Sequence, residues 1–281
     1  MSAPTTAVVV GGGTMGAGIA HVLLAAGARV TIAEASAARA DAAREAVAAS
    51  LREGAERGKL AAEPADLLAR LSTVDSLVAL PAAAELVVEA VSEDVALKRD
   101  VLAAAGTACP DAVLASNTSS LSITALADGP VGERVIGMHF FNPVPASELV
   151  ELVVHDGLPA ATVARTRGWA EALGKTVIEV RDSPGFATSR LGVAVGLEAI
   201  RMVEEEVASA EDIDTGMRLG YRWPMGPLRL TDLVGLDVRL SIAEHLEREL
   251  GPRFAPPELL RKKVARGELG RKTGRGFFDW E

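Results

Sequence analysis

Thr6-Ala7-Val8-Val9-Val10-Gly11-Gly12-Gly13-Thr14-Met15-Gly16 decides the fold of this 281-residue chain. An apolar strand pattern leads directly into glycines 11, 13 and 16, spaced as G-x-G-x-x-G, and a helical pattern follows to about Gly27. In such a motif the glycines permit a tight turn, close approach of a pyrophosphate and close helix packing. The helix start, with Thr14 and Met15, offers N–H groups and a positive dipole end to phosphates.

A second strand pattern, Arg29–Ala33, ends at Glu34. A carboxylate at that place accepts hydrogen bonds from the adenosine ribose hydroxyls and repels a 2′-phosphate. Strand, glycines, helix, second strand and terminal acid together predict a dinucleotide-binding βαβ unit that prefers NAD to NADP. For the glycines taken alone, an ordinary glycine-rich turn is the alternative.

The first two thirds of the chain alternate strand and helix patterns, which predicts a doubly wound, mostly parallel α/β sheet of the Rossmann type. Residues 36–70 are rich in Ala and charge, and they predict an inserted helical arm of one long helix and a shorter one. The next strand after the arm is predicted at 86–90, and a helix at 94–108 follows it. Later strands are predicted at 112–116, 135–139, 149–154 and 176–180.

From residue 184 onward the patterns are helical, at 184–207, 212–219, 228–250 and 257–267, and a strand pattern returns only at 276–278. The sequence therefore predicts a Rossmann domain over 1–182 and an all-helical domain over 183–281. The Leu, Val and Met residues of these helices suit a core and a subunit interface equally well.

Composition narrows the function classes. A net charge of −9 and a pI near 5.1 argue against a nucleic-acid surface. The only cysteine, Cys109, rules out an internal disulfide and favours a reducing compartment. No apolar run reaches the ~20 residues of a membrane span, and no signal-peptide pattern opens the chain. We expect a cytoplasmic protein without membrane or metal partners, since no Cys/His/acid cluster has ligand spacing.

Polar residues gather where the predicted strands end. Ligands of doubly wound sheets bind at the carboxyl ends of strands, so we expect Glu34, the turn at 91–94, residues 117–120 and His139 to face one crevice. Two strands joined by a Pro-rich turn can bring His139 and Glu151 within hydrogen-bond reach. A carboxylate that orients a histidine makes a general base able to work near neutral pH.

Each of these candidates has a structural alternative. His139 alone could be a buried histidine satisfied by backbone, with Glu151 an exposed strand residue. The hydroxyl of Ser119 equally suits a turn or a helix cap. Glu93 and Lys98 could be a solvated pair at a helix start. His21, His155 and His245 lack a surrounding constellation and are interpreted as structural or exposed.

The chain resembles the L-3-hydroxyacyl-CoA dehydrogenase family over essentially its full length. The matching stretches are 11–19, 88–98, 116–120, 137–145, 149–153, 182–186, 224–227, 232–237 and 270–277. The resemblance implies an NAD-dependent oxidoreductase of fatty acid metabolism, which interconverts a 3-hydroxyacyl thioester, CoA-linked, and the 3-ketoacyl thioester. It also implies a homodimer formed through the helical domain.

The resemblance assigns roles to individual residues. It implies that His139 is the general acid/base, that Glu151 orients it, and that Ser119 contacts the substrate hydroxyl and the cofactor. The implied cofactor-binding residues are Gly11, Gly13, Thr14, Met15, Gly16, Glu34, Glu93, Lys98, Asn117 and Lys272. The implied substrate-binding residues are Ser50 and Arg57 in the arm and Ser119. Asn142 and Glu148, in the segment after His139, are further substrate-binding candidates.

Two departures from the family pattern lie on the substrate side. Ser189, a fourth catalytic candidate, stands where the family usually carries Asn, and its hydroxyl is a shorter group with a single donor. Ala146-Ser147-Glu148 occupies positions where apolar residues and often Lys are found. We hypothesise that Glu148 and Ser189 recognise a polar feature of the substrate.

Other readings stay open beside this one. The same chemistry could act on an acyl-carrier-protein-bound or free polar hydroxy acid, or the chain could be a non-catalytic NAD-binding relative. Residues 261–275 carry seven Lys or Arg and one acid, Glu268. A solvated helix face and tail is the favoured interpretation, and a cationic rim that attracts a phosphorylated cofactor or an acidic carrier protein is the alternative.

Overall fold

The computed structural model describes residues 2–281, which form two compact units, the first ending at Asp182 and the second running Ser183–Glu281. The strands are β1 (Thr6–Val10), β2 (Arg29–Ala33), β3 (Leu71–Val74), β4 (Leu86–Glu89), β5 (Val113–Ser116), β6 (Val135–Phe140), β7 (Leu149–Val154) and β8 (Thr176–Arg181). The helices of the first unit are α1 (Thr14–Ala25), α2 (Ala37–Glu56), α3 (Pro64–Leu68), α4 (Val95–Ala108), α5 (Ile123–Leu126) and α6 (Ala160–Ala172).

All eight strands form one sheet in the order β3-β2-β1-β4-β5-β6-β7-β8. The pairs from β3 to β6 are parallel, β6 and β7 are antiparallel, and β7 and β8 are again parallel. Strands β4, β5 and β6 are wholly buried, as expected where helices cover both faces of a parallel sheet. The predicted doubly wound, mostly parallel sheet is confirmed.

Local capping fixes where the helices of this unit begin. The Ser36 hydroxyl accepts a hydrogen bond from the Arg39 N–H at the start of α2, and the Asp94 carboxylate accepts one from the Leu97 N–H at the start of α4. These caps satisfy N–H groups that have no partner within the helix. Helix α2 then packs on α1 with its alanine face, and forms the inserted arm together with α3.

The second unit is helical, with α7 (Thr188–Glu204), α8 (Ala210–Gly220), α9 (Pro227–Val234), α10 (Leu236–Leu250) and α11 (Glu258–Ala265). Its core contains Val193, Leu197 and Ile200 of α7 packed with apolar residues of the other helices. The buried Asp232 carboxylate accepts hydrogen bonds from the Phe277 and Phe278 N–H groups and the Trp280 indole. This carboxylate fastens the C-terminal segment to α9.

Five details of the prediction were wrong. Strand β3 and helix α6 were not predicted, and β3 is an edge strand that pairs with β2. The predicted helix at 228–250 is two helices, because Gly235 has a φ of +105°. The helix predicted from 184 begins at Thr188, since Gly185 and Phe186 have positive φ. Residues 276–278 form no strand in the described chain. The isolated bridges in this region join Arg275 to Gly270 and to Asp279.

No helix within residues 2–281 is long and apolar enough to cross a membrane.

Candidate active site

The glycine turn after β1 has open space beside one of its glycines, Gly13. Gly11 has a φ of +94°, and a Cβ at Gly16 would stand 1.8 Å from the Gly11 carbonyl oxygen, so neither position tolerates a side chain. A Cβ at Gly13 would meet nothing within 4 Å. No side chain of the described residues caps the start of α1, so its first turn presents N–H groups there. This turn fits the pyrophosphate of a dinucleotide.

Glu34 ties the end of β2 to this turn. Its Oε1 accepts a hydrogen bond from the Gly12 N–H at 2.7 Å, and its Oε2 lies 3.1 Å from Nε of the exposed Arg39. The carboxylate therefore stands beside the glycine turn at the carboxyl edge of the sheet. This is the place from which an acid reaches an adenosine ribose.

A buried ion-pair network follows β4. Lys98 is 1% exposed, and its Nζ lies 2.7 Å from Oε1 of the fully buried Glu89 and 3.3 Å from Oε2 of Glu93. Glu89 also accepts hydrogen bonds from the Ser116 hydroxyl and the Val91 N–H, both at 2.7 Å. The alternative of a solvated Glu93–Lys98 pair is therefore wrong, because the ammonium is enclosed by protein.

The end of β5 is linked to the same network. Oε1 of Glu93 accepts hydrogen bonds from the Thr118 hydroxyl at 2.5 Å and from the Ser119 N–H at 3.0 Å. The Ser119 Oγ lies 3.5 Å from the same oxygen. Asn117 Oδ1 accepts the Phe140 N–H at 2.9 Å, which joins this loop to the end of β6. The loop after β5 is thus held from both sides.

His139 and Glu151 face each other across the antiparallel β6–β7 pair, in direct register. The His139 Nδ1 lies 2.8 Å from the Glu151 Oε2, and the two side chains are 8% and 0% exposed. The ring of Phe141 packs on the imidazole with a centroid distance of 4.3 Å. The carboxylate fixes the orientation of the imidazole, which leaves Nε2 as the nitrogen directed away from Glu151.

The turn between β6 and β7 is held by a lysine from outside it. The buried Lys175 donates to the Val144 carbonyl at 2.7 Å and to the Ser147 carbonyl at 2.6 Å. Burial lowers the pKa of Lys175. Asn142 and Glu148, at the two ends of the turn, are exposed.

The arm carries the two residues predicted to bind coenzyme A, Ser50 and Arg57. They differ in exposure and in hydrogen-bond partner. Ser50 Oγ on α2 lies 2.8 Å from Nδ1 of the buried His21 on α1. Arg57, just beyond α2, is exposed and pairs with Glu53. Burial, and next the charge of Lys175, lower the pKa of His21. His21 is therefore structural rather than exposed, and it contacts Ser50 and lies in the field of Lys175.

Two predicted site residues belong to the second unit. Ser189 lies in the first turn of α7. Lys272 Nζ lies 2.6 Å from Asp237 Oδ2. Most of the basic side chains in 261–275 have acidic partners, which supports the solvated-face interpretation: Arg261–Glu244, Lys262–Glu258, Lys263–Glu268, Lys272–Asp237 and Arg275–Asp279.

The first unit therefore brings most of the predicted residues to the carboxyl edge of one sheet. Three features of the site were not predicted from the sequence: Glu89, Lys175 and the contact of His21 with Ser50. Only Glu89 carried a visible signal, an acid inside a buried-type strand nine residues before Lys98. Within residues 2–281, no group of His, Cys, Asp and Glu could hold a metal ion.

Comparisons with known proteins agree with this geometry. Residues 6–183 match the NAD-binding domain of 3-hydroxyacyl-CoA dehydrogenase, and residues 185–280 match its C-terminal domain. A 3-hydroxybutyryl-CoA dehydrogenase of Mycobacterium tuberculosis is 43% identical over 277 residues, 97% of each chain.

Solved structures resemble the whole chain as well. The crystal structure of M. tuberculosis FadB2 superposes with a TM-score of 0.94 at 42% identity, covering 100% of both chains. That of (S)-3-hydroxybutyryl-CoA dehydrogenase PaaH1 from Ralstonia eutropha has a TM-score of 0.93 at 40% identity, covering 99% of this chain and 100% of the other.

Proposed function

The chain belongs to the 3-hydroxyacyl-CoA dehydrogenase family, and on that premise we propose that it oxidises a 3-hydroxyacyl-CoA with His139 as general acid/base. It is an NAD-dependent oxidoreductase of that family. The observation that carries the proposed mechanism is the buried His139–Glu151 contact of 2.8 Å at the carboxyl edge of the sheet.

His139 moves the proton of the substrate hydroxyl. In the oxidation direction its Nε2 takes that proton, while in reduction the imidazolium returns it to the carbonyl oxygen. Glu151 holds Nδ1, so the ring keeps one orientation and directs Nε2 away from the carboxylate. NAD, when bound, supplies the site that accepts or returns the hydride.

The residues after β4 and β5 position the reacting groups. We assign Ser119 to the substrate hydroxyl and the cofactor, and Asn117 to the cofactor side of the same loop. The Glu93 carboxylate holds Ser119 through its N–H, and Lys98 holds Glu93. Such positioning supplies the part of the rate enhancement that proton transfer alone does not supply.

The glycine turn and Glu34 are assigned to the adenosine half of NAD. Gly13, with Thr14 and Met15 at the helix start, faces the pyrophosphate in this proposal, while Gly11 and Gly16 make room for the turn itself. Glu34 would hydrogen-bond the ribose and disfavour NADP. Lys272, in the second unit, is assigned to the cofactor by the family resemblance.

The arm is proposed to select coenzyme A over an acyl carrier protein. Ser50, fixed by His21, and the exposed Arg57 give the arm a hydroxyl and a cation for the CoA moiety. We assign Asn142, Glu148 and Ser189 to the acyl group of the substrate. Glu148 and Ser189 depart from the family pattern, and their polar side chains favour a polar acyl group.

The helical unit is proposed to form a homodimer. The single, buried Cys109 supports a reducing compartment such as the cytoplasm.

The experiment follows loss of NADH absorbance with 3-ketoacyl-CoA, carrier-bound and free keto acid substrates. We expect turnover of the CoA ester, and a drop in kcat of about 10²–10⁴-fold in His139→Gln. His155→Gln is the matched control, since His155 is also buried on this sheet but contacts the Val135 carbonyl. No turnover of any substrate would favour a non-catalytic relative, and equal loss in both variants would contradict the assignment of His139.

A further inference from the structure

The carboxylate that follows β2 is shared between the glycine turn and an arginine. Both of its oxygens accept backbone hydrogen bonds, Glu34 Oε1 from the Gly12 N–H at 2.7 Å and Oε2 from the Ala35 N–H at 3.2 Å. Oε2 also lies 3.1 Å from Nε of Arg39, in the first turn of α2. The Glu34 side chain is 8% exposed and that of Arg39 is 71% exposed. A fixed, buried anion therefore has an open cation beside it.

A hydroxyl lies next to this open cation. Ser36 is exposed, and its Oγ accepts a hydrogen bond from the Arg39 N–H at 3.4 Å at the start of α2. A hydroxyl that accepts a hydrogen bond still has its own proton to donate. The first turn of α2, residues 37–40, contains no acid. The helix start therefore presents a hydroxyl donor and a guanidinium together.

These two donors suit one chemical group of a dinucleotide. NADP differs from NAD by a phosphate on the adenosine 2′-hydroxyl, and such a phosphate is strongly anionic at neutral pH. In doubly wound sheets an acid after the second strand hydrogen-bonds the 2′-hydroxyl of NAD, whereas a nearby arginine accommodates the 2′-phosphate of NADP. This chain carries both groups, in contact with each other. Because an ion pair with an exposed partner contributes little to stability, the Arg39 guanidinium can leave Glu34 for a phosphate at small cost.

We propose that Ser36 and Arg39 form a latent binding site for the 2′-phosphate of NADP, which the carboxylate of Glu34 keeps closed. The inference rests on the proposed function, which places the adenosine ribose at Glu34. The carboxylate repels the phosphate and also occupies Nε of Arg39. Once that charge is removed, the guanidinium is released and can donate two parallel N–H groups to the phosphate oxygens. A single side chain thus decides which cofactor the enzyme binds.

The test is fluorescence titration of the full chain with NADH and with NADPH, which measures binding without turnover. The central variant is Glu34→Gln, which removes the charge and keeps an oxygen for the Gly12 N–H. We expect the wild type to bind NADH more tightly than NADPH. In Glu34→Gln the Kd for NADPH should fall about 10- to 100-fold, because the guanidinium gains a charge-assisted contact. The Kd for NADH should rise in the same variant, since the ribose loses a charged acceptor.

Second substitutions identify the groups that hold the phosphate. Added to Glu34→Gln, Arg39→Met should remove most of the gain for NADPH. Arg52→Met is the matched control and should keep the gain, because it removes an exposed arginine from the same helix and gives the same net charge. Ser36→Gly removes the hydroxyl at little cost to the helix cap and should remove a smaller part. Arg39→Met in the wild-type background should widen the preference for NADH, since the phosphate then meets the carboxylate without a counter-charge.

Three results would overturn the inference. One is an unchanged Kd for NADPH in Glu34→Gln, and another is a gain that survives Arg39→Met. The third is an equal loss with Arg52→Met, which would point to net charge instead of a site. A gain that survives Ser36→Gly in full would overturn the assignment of Ser36. Failure of the proposed function differs from all of these: the Kd for NADH would be the same in Glu34→Gln as in the wild type, which would place the adenosine ribose elsewhere.

Discussion

His21 Nδ1 lies 2.8 Å from Ser50 Oγ, and this contact joins α1, the helix that follows the glycine turn, to α2, the long helix of the arm. The contact is tightly enclosed, since a Cβ at Gly54 would stand 3.0 Å from the His21 ring. The hydroxyl proposed to meet coenzyme A is therefore oriented by the dinucleotide-binding core. The Ser50 hydroxyl keeps this orientation only while His21 stays buried beside it.

This histidine predicts a pH dependence of stability. Burial, and next Lys175, lower the folded-state pKa of His21 below its usual 6.5. The unfolded chain then binds a proton at His21 more readily than the folded chain does. The contribution of neutral His21 to the free energy of unfolding is therefore complete above about pH 6.5, and it is lost as the pH falls through the lowered folded-state pKa. Thermal melts should show a larger loss on acidification for the wild type than for His21→Gln. Identical pH profiles would contradict this.

Lys98→Met should destabilise the first unit by about 3–5 kcal/mol, because it leaves Glu89 buried without its cation. Urea denaturation measures this change. Arg57→Met is the control, since it breaks an ion pair that is more than half exposed on both sides. We expect that control to cost at most about 0.5 kcal/mol. A cost for Lys98→Met as small as for the control would contradict the assignment of Lys98 as the partner that stabilises the buried Glu89 carboxylate.

Alanine substitutions at two glycines of the same turn should affect different properties, stability at Gly16 and NAD affinity at Gly13. Gly16→Ala places a Cβ 1.8 Å from the Gly11 oxygen, so it should cost at least about 3 kcal/mol of stability. Gly13→Ala meets no protein atom and should leave the melting temperature unchanged. It should weaken NAD binding about tenfold or more, measured by calorimetry, because the methyl group enters the pyrophosphate position. Unchanged affinity would place the pyrophosphate elsewhere.

Lys175→Met should cost about 2–3 kcal/mol, since the Val144 and Ser147 carbonyls lose a charged donor. It should also raise KM for the thioester, because these carbonyls hold the turn between Asn142 and Glu148. Lys59→Met, at an exposed position, provides the baseline. If stability falls while KM stays constant, the turn does not contribute to substrate binding.

Sequence patterns predicted the centre of the sheet better than its periphery. The strands around the glycine motif are apolar and buried on both faces, so their pattern is unambiguous. Strand β3 was missed because Leu-Ser-Thr-Val is short and half polar, as suits an edge strand beside β2. Helix α6 was missed because its apolar residues show almost no helical periodicity.

Strand pairing made part of the candidate site predictable. Contacts that depend on the burial of single side chains were not predictable from the sequence. His139 and Glu151 follow from two strands and a turn, and the structure confirms that they meet. The burial of Lys98 depends on its contact with Glu89, the acid that ends the otherwise apolar strand β4, and the pattern of the strand does not show that the two side chains meet.

The direct register of His139 and Glu151 has a practical consequence for engineering. Strand pairing on β6 and β7 holds the two side chains together, and a shift by one residue would send them to opposite faces of the sheet. Of the residues that join the strands, Phe141 packs on the imidazole, while Lys175 holds the Val144 and Ser147 carbonyls from outside the turn. We therefore expect a graft of residues 142–148, of equal length and taken from a related dehydrogenase, to leave the His139–Glu151 contact intact.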